Sequence, residues 1–313
     1  MKYLSLFGIL CAMMLASCQP YPELRPMEYE ELQYPFPVKY ADLGGGVNLA
    51  YVDEGQGAET IIFIHGLGSY LPGWKKNVEG LRDRYRCIAI DLPGYGKSSR
   101  GRYPFTMEFY ADVVVQLMNH LHLSSVVITG HSMGGQIAMT VALKYPDRVK
   151  KLVLISAAGF ESFTDGEKQW FRDIAIPELT KNATPQQIRA NLVSNFYNMP
   201  VDAEFMVTDR IATRKAKGLD GYAYTVAQSI KAMVNQPVIG LVDRITQPAL
   251  LIYGENDNLI PNPFLHAGKT KTIGDIGHAA LKNSSLLMIP ECVHFAQFEH
   301  PVEINDAIRQ FLQ

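Results

Sequence analysis

Apolar runs and amphipathic stretches alternate along most of the chain, and their spacing sets out its elements. Residues 60–64, 87–90, 126–129, 151–155, 248–253 and 286–289 are short, nearly continuous apolar runs. Runs of that length without polar alternation predict strands buried on both faces of a sheet. Residues 38–42 and 47–52 flank Gly44, Gly45 and Gly46, which predicts an opening β-hairpin. Residues 74–85, 107–120, 136–145, 263–282 and 302–312 predict helices; in the second, Val113, Val114 and Leu117 recur at helical spacing, and Pro146 stops the third. Strands that alternate with helices imply a mostly parallel sheet covered on both faces.

The rhythm breaks after Gly159. Residues 160–242 contain no buried apolar strand and read as amphipathic helices, with Trp170, Phe171, Phe196, Tyr197, Phe205 and Met206 among their apolar positions. An insertion of that size between two strands of one sheet must lie outside the sheet. It predicts a helical cap (160–242) on a core made of residues 38–159 and 243–313. The cap's aromatics serve equally well as a substrate pocket or as the cap's own small core.

The N-terminus follows a different pattern. Lys2 precedes an apolar run over residues 4–15, too short to span a membrane comfortably as a helix. The run ends in Leu15, Ala16, Ser17 and Cys18, which resembles the lipobox of bacterial lipoproteins. The resemblance implies that residues 1–18 are a signal segment, that the Cys18 thiol takes a diacylglyceryl group, and that the protein is an extracytoplasmic lipoprotein held on a lipid bilayer. Gln19, where an Asp would signal inner-membrane retention, favours the outer membrane. Residues 19–37 carry Pro20, Pro22, Pro26, Pro35 and Pro37 and read as an extended tether, the alternative being an arm packed on the domain.

Composition narrows the classes. The chain has 313 residues, 47% of them hydrophobic, and a formal net charge of -2. That suits one large α/β domain with an insertion, and no basic excess points to nucleic acid. The four cysteines show no metal-ligand spacing, and no metal or organic cofactor is implied. Cys87 and Cys292 fall at opposite ends of parallel strands, which argues against a disulfide between them.

The chemistry centres on Gly130, His131, Ser132, Met133 and Gly134, a G-x-S-x-G run between a strand and a helix. A turn this sharp admits only small residues two places either side of Ser132. It lifts the hydroxyl clear of the backbone at the positive end of the following helix. Further motifs stand around it in order: His65 and Gly66; Asp91 with Pro93, Gly94 and Gly96; Gly254, Glu255, Asn256 and Asp257; and a late His294. Over residues 38–312 this order resembles the α/β-hydrolase fold, a mostly parallel eight-stranded sheet flanked by helices, with a helical cap after the sixth strand. The resemblance implies Ser132 as nucleophile, Asp257 as the acid that orients the base, and His294 as the general base. It also implies an oxyanion hole from the backbone N–H groups of Leu67 and Met133. Val293 departs from the Gly that usually precedes the base. His278 and His300 compete with His294, and Glu255 competes with Asp257. His65, His131 and Asp91 read as loop braces.

Within this fold the same three residues serve several reactions. The leading expectation is hydrolysis of a small-molecule carboxylic ester through an acyl-enzyme at Ser132, with esterase or lipase character suited to a lipid surface. The alternative is a meta-cleavage carbon–carbon hydrolase. The stretch from His294 to His300 resembles a His-Trp-Ala-Gln-Trp-Glu-His run of those enzymes with Phe295 and Phe298 in place of both Trp. Those enzymes bind a substrate carboxylate through a cap arginine, for which Arg210 and Arg214 are the candidates. A third expectation is a non-catalytic surface lipoprotein.

Overall fold

The computed structural model describes residues 24–313. The expected signal segment and Cys18 lie outside the described residues. Eight strands form one sheet: β1 (Lys39–Asp42), β2 (Asn48–Glu54), β3 (Thr60–Ile64), β4 (Arg86–Ile90), β5 (Val126–His131), β6 (Val149–Ile155), β7 (Ala249–Gly254) and β8 (Ser284–Ile289). Their order is β1-β2-β4-β3-β5-β6-β7-β8. β1 pairs with β2 and β2 with β4 antiparallel, and every other pairing is parallel.

Every residue of β3, β5 and β7 is buried, as their continuous apolar character requires. Successive side chains point to opposite faces. Ile62 and Ile64 enter one core cluster, while Ile61 and Phe63 enter the other. The first face is covered by α2 (Met107–His120), α3 (Met133–Lys144) and α9 (Thr270–Ala280) through residues such as Val114, Ile137 and Ile273. The second is covered by α1 (Lys75–Leu81) and α10 (Pro301–Leu312) through Val78, Leu81, Ile304 and Ile308. Register sets the site: Ile64 lies opposite both Ile90 and Gly130, and His131 opposite Ile155. The loops that leave these strands therefore emerge side by side on one edge.

Two helices are shorter than the pattern predicts. The stretch 74–85 contains only the helix at Lys75–Leu81, entered through a 3-10 turn at Leu71–Trp74. The stretch 263–282 is helical only over Thr270–Ala280. Its first part is a single turn that the Asn262 side chain caps by accepting from the Phe264 and Leu265 N–H groups, and Gly268, at φ 140, breaks it before Thr270. The third helix starts three residues earlier than the pattern predicts, at Met133, which makes Ser132 its N-cap residue.

Between β6 and β7 lie α4 (Asp165–Ile174), α5 (Pro177–Lys181), α6 (Pro185–Val193), α7 (Glu204–Ala212) and α8 (Leu219–Asn235). Thr164 with Glu167, and Thr184 with Gln187, form capping boxes that start α4 and α6. Ile188, Leu192, Phe196, Met206 and Val207 make a small core of their own, joined to Phe295 and Phe298 of the sheet domain. Ile188, Leu192 and Met206 of that core, together with Phe171, also line a cavity beneath these helices.

Residues 24–37 are not the extended tether that the prolines predict. Tyr29 and Leu32 are buried. Met27 N–H donates to the Ala212 carbonyl, Lys217 N–H donates to the Glu28 carboxylate, and Tyr34 Oη–H donates to Asp91. Three large apolar side chains within six residues outweigh the prolines' preference for an extended, solvated chain. Burying one such side chain contributes roughly 1.5–3 kcal/mol.

Candidate active site

β5 delivers Ser132 and α3 leaves from it. Ser132 has φ 53 and ψ -117, a left-handed conformation that a side-chain-bearing residue holds only under strain. The turn survives because its neighbours lack side chains. A Cβ on Gly130 would overlap the Gly134 carbonyl, and one on Gly134 would overlap the Ile64 carbonyl. Two hydrogen bonds hold the strained residue, from Ser132 N–H to the Ile155 carbonyl at 3.0 Å and from Ala158 N–H to the Ser132 carbonyl at 3.1 Å.

Asp257 and His294 meet from different loops. His294 Nδ1 lies 2.8 Å from Asp257 Oδ2, and both side chains are buried. Asp257 Oδ1 accepts from Leu259 N–H at 2.9 Å, so the carboxylate is fixed at both oxygens. The cap holds the base: the His294 and Phe295 N–H groups both donate to the carbonyl of Asn195. Val293 is accommodated because the left-handed residue of this loop is Glu291, at φ 50. His278 bonds Ser284 on an exposed face, His300 bonds the Glu291 carbonyl, and Glu255 is exposed. None of these three lines the cavity that Ser132 and His294 share.

The other two motif histidines are braces. His65 Nε2 accepts from Leu92 N–H at 3.0 Å, so Nδ1 carries the proton and donates to the Gly66 carbonyl. Burial pulls the pKa of His65 down to about 4, which keeps it neutral. His131 lies 4.8 Å from the His294 ring, and its Nε2–H donates to the His294 carbonyl. Burial, and then the nearby His294, hold its pKa well below the ordinary value. Asp91 is fully buried and accepts from Leu71 N–H, Lys97 N–H and Tyr34 Oη–H. Burial raises its pKa to about 6 against the pull of those bonds.

Leu67 and Met133 lie next to Ser132, one on the loop after β3 and one at the start of α3. Neither N–H donates to a protein acceptor among the described residues, which leaves both available to an oxyanion. The loop is pressed close: a Cβ on Gly66 would lie 3.0 Å from Ser132 Cβ.

Arg210 lines the cavity, but its Nη2 donates to the Gly68 carbonyl, and its guanidinium sits 5.3 Å over the Tyr222 ring. Next to it, Asp209 Oδ2 accepts from Tyr70 Oη–H at 2.6 Å. Two adjacent residues of α7 thus grip the loop after β3. Sequence reasoning missed Asp209, Tyr70 and Asn195, because contacts that span up to 139 residues leave no local pattern.

The cavity has a volume of about 830 Å³ and is walled mainly by apolar side chains of the cap, with Ser132, Leu67 and His294 at its floor. Cys87 and Cys292 are free and buried, and burial pushes the Cys87 thiol up to about 12. Donor atoms of Cys292, Glu299 and His300 come within 4.8 Å of one another. Glu299 already accepts from Asn198 and Val293, His300 bonds Glu291, and burial raises the Cys292 pKa, so this set is poorly suited to a metal.

A hydroxyl on a strained turn, a carboxylate-held imidazole in the same cavity and two free N–H groups can together perform acyl transfer. A family model described as alpha/beta hydrolase fold matches residues 59–301. The chain is 28% identical over 281 residues to the hydrolase YugF of Bacillus subtilis, covering 86% of this chain and 95% of that one. It is 28% identical over 279 residues to 2-hydroxy-6-oxononadienedioate/2-hydroxy-6-oxononatrienedioate hydrolase 1 of Pseudomonas putida, covering 85% and 92%. A thermophilic esterase from Thermogutta terrifontis superposes with a TM-score of 0.68 at 26% identity, covering 88% of this chain and 96% of that one. Sheet order, site and relatives agree, and the chain belongs to the α/β-hydrolase family as a hydrolase.

Proposed function

We propose that this hydrolase cleaves carboxylic esters through an acyl-enzyme on Ser132, while anchored to a bilayer through lipidated Cys18. One observation carries the chemistry: strained Ser132 shares an apolar cavity with the buried His294–Asp257 pair. His294 Nε2 takes the Ser132 proton as the oxygen attacks the ester carbonyl, and the carboxylate of Asp257 stabilises the resulting imidazolium. The N–H groups of Leu67 and Met133 receive the oxyanion. His294 returns the proton to the leaving alcohol and then draws one from water, which releases the acid. The esterase likeness supports this reading, as does a cavity large enough for an acyl chain.

A second reading is favoured by one observation. Arg214 lines the cavity, and its Nε is buried without a hydrogen-bond partner among the described residues. A substrate carboxylate would satisfy it, as a meta-cleavage substrate would, and the Pseudomonas putida relative is named for that chemistry.

One comparison tests both. Wild type and Ser132→Ala are assayed on p-nitrophenyl esters from acetate to palmitate and on a vinylogous diketo acid. The expected result is ester hydrolysis that falls by about a thousandfold or more in the variant. Turnover of the diketo acid alone would transfer the assignment to carbon–carbon cleavage, and no turnover of either would end both readings.

A further inference from the structure

We infer that the rim of the cap is a docking surface for a lipid bilayer, with the cavity mouth opening onto the membrane. The inference goes beyond the ester chemistry, and its orientation rests on Cys18 being the anchor. Ile174, Ile176, Leu179 and Leu259 all line the cavity, and each is nevertheless at least 37% exposed. Phe264 is 81% exposed and extends the patch through Trp170, whose ring lies 6.3 Å from it and 5.0 Å from that of Phe171 in the cavity wall. Single exposed apolar residues are ordinary on a protein surface. A contiguous set around the mouth of a cavity is not, and water is a poor partner for it.

The start of the described chain says what covers this patch. Leu24 packs against the cap cluster that contains Ile188 and Met206. Met27 N–H donates to the Ala212 carbonyl of the cap, and Tyr29 lines the cavity, so the chain enters the fold at the cap. Cys18 precedes Leu24 by six residues. Six residues reach at most about 20 Å. A lipid on Cys18 therefore holds the cap close to the membrane, and the opposite face of the sheet domain is out of reach. The diacylglyceryl group on Cys18 would keep the protein at the bilayer, and the rim would then set which face meets it. The net charge of -2 gives no general attraction to anionic lipid, so the contact is apolar and tolerates salt. Acyl chains would then pass from the bilayer into the cavity without crossing water.

The test separates docking from lipidation and from catalysis. Every described core contact lies within residues 24–313, so a chain beginning at Gln19 keeps them all while lacking the anchor. Its binding to phosphatidylcholine vesicles is measured by co-sedimentation in low and high salt. Trp74 is buried in the core, so a change in tryptophan emission, or quenching by brominated lipid, reports Trp170. The expected result is salt-independent binding with quenching of one tryptophan. Phe264→Asp and Leu179→Asp should each weaken partitioning by about tenfold or more. Val302→Asp, at an exposed apolar site that does not line the cavity, should leave it unchanged. Phe264→Asp should also keep p-nitrophenyl acetate hydrolysis. No binding, binding only to anionic vesicles that salt abolishes, or equal loss in Val302→Asp would overturn the surface. A dimer in solution that Leu179→Asp dissociates would assign the rim to a second copy instead. The mass of the Cys18 peptide from the full-length protein reads lipidation separately, and ester hydrolysis reads the chemistry.

Discussion

At the scale of single residues the site is a set of conformations that only certain side chains allow. Ser132 is strained, and Gly130 and Gly134 let it stay so. Arg210 is the least expected participant. A guanidinium that donates to the Gly68 carbonyl sets the direction of the neighbouring peptide groups, including the Leu67 N–H that would meet the oxyanion. Arg210→Ala should therefore lower kcat on neutral esters by about tenfold or more with a smaller change in KM, because an oxyanion donor acts on the transition state. Arg210→Lys should restore part of the loss. If Arg210 instead bound a substrate carboxylate, neutral esters would be hydrolysed normally by both variants. The motif histidines and acids were legible because each sits at a strand end in a local pattern. The grip of Asp209 on Tyr70 was not, since neither residue lies in any motif.

At the scale of elements, strands were legible and short helices less so. A strand buried on both faces must be apolar throughout, and β3, β5 and β7 are. Residues 263–282 have helical composition, yet Gly268, at φ 140, ends the first turn and the helix begins only at Thr270. The N-terminal arm shows the same limit from the other side. Its prolines describe a free chain, but Tyr29, Leu32 and Tyr34 find partners that only the fold supplies. Leu32→Ala should cost about 2–4 kcal/mol in urea unfolding, as a buried leucine in a packed core does. A residue on a solvated tether would cost less than about 0.5 kcal/mol. Tyr29 also lines the cavity, so the arm is part of the active-site wall.

At the scale of the whole molecule, several buried titratable groups brace loops far apart in sequence, and they make stability depend on pH. His65 has its pKa lowered to about 4 in the fold, while the unfolded chain takes a proton near the ordinary value of 6.5. Its contribution is therefore complete above that value and is lost as pH falls towards 4. Each unit of difference is worth 1.36 kcal/mol, so the loss is about 3 kcal/mol. Asp91, raised to about 6, runs the opposite way and favours the fold as pH falls. The stability advantage of wild type over His65→Asn should accordingly shrink by about 3 kcal/mol between pH 7 and pH 4, measured by urea unfolding at each pH. An unchanged difference would show that His65 titrates normally and is not buried as described. 

Local pattern was enough for the strand set, the cap's position after β6, the strand–turn–helix at Ser132 and the order of Ser132, Asp257 and His294. Periodicity and turn chemistry act over a few residues, and those features are written at that range. The tertiary structure alone decided that Asp257 Oδ2 stands 2.8 Å from His294 Nδ1, that Asn195 of the cap holds His294, and that Arg210 turns to the Gly68 carbonyl. It also decided that the arm is packed and that apolar side chains ring the cavity mouth. These depend on which surfaces meet once the sheet has formed, and no window of neighbouring residues contains that information.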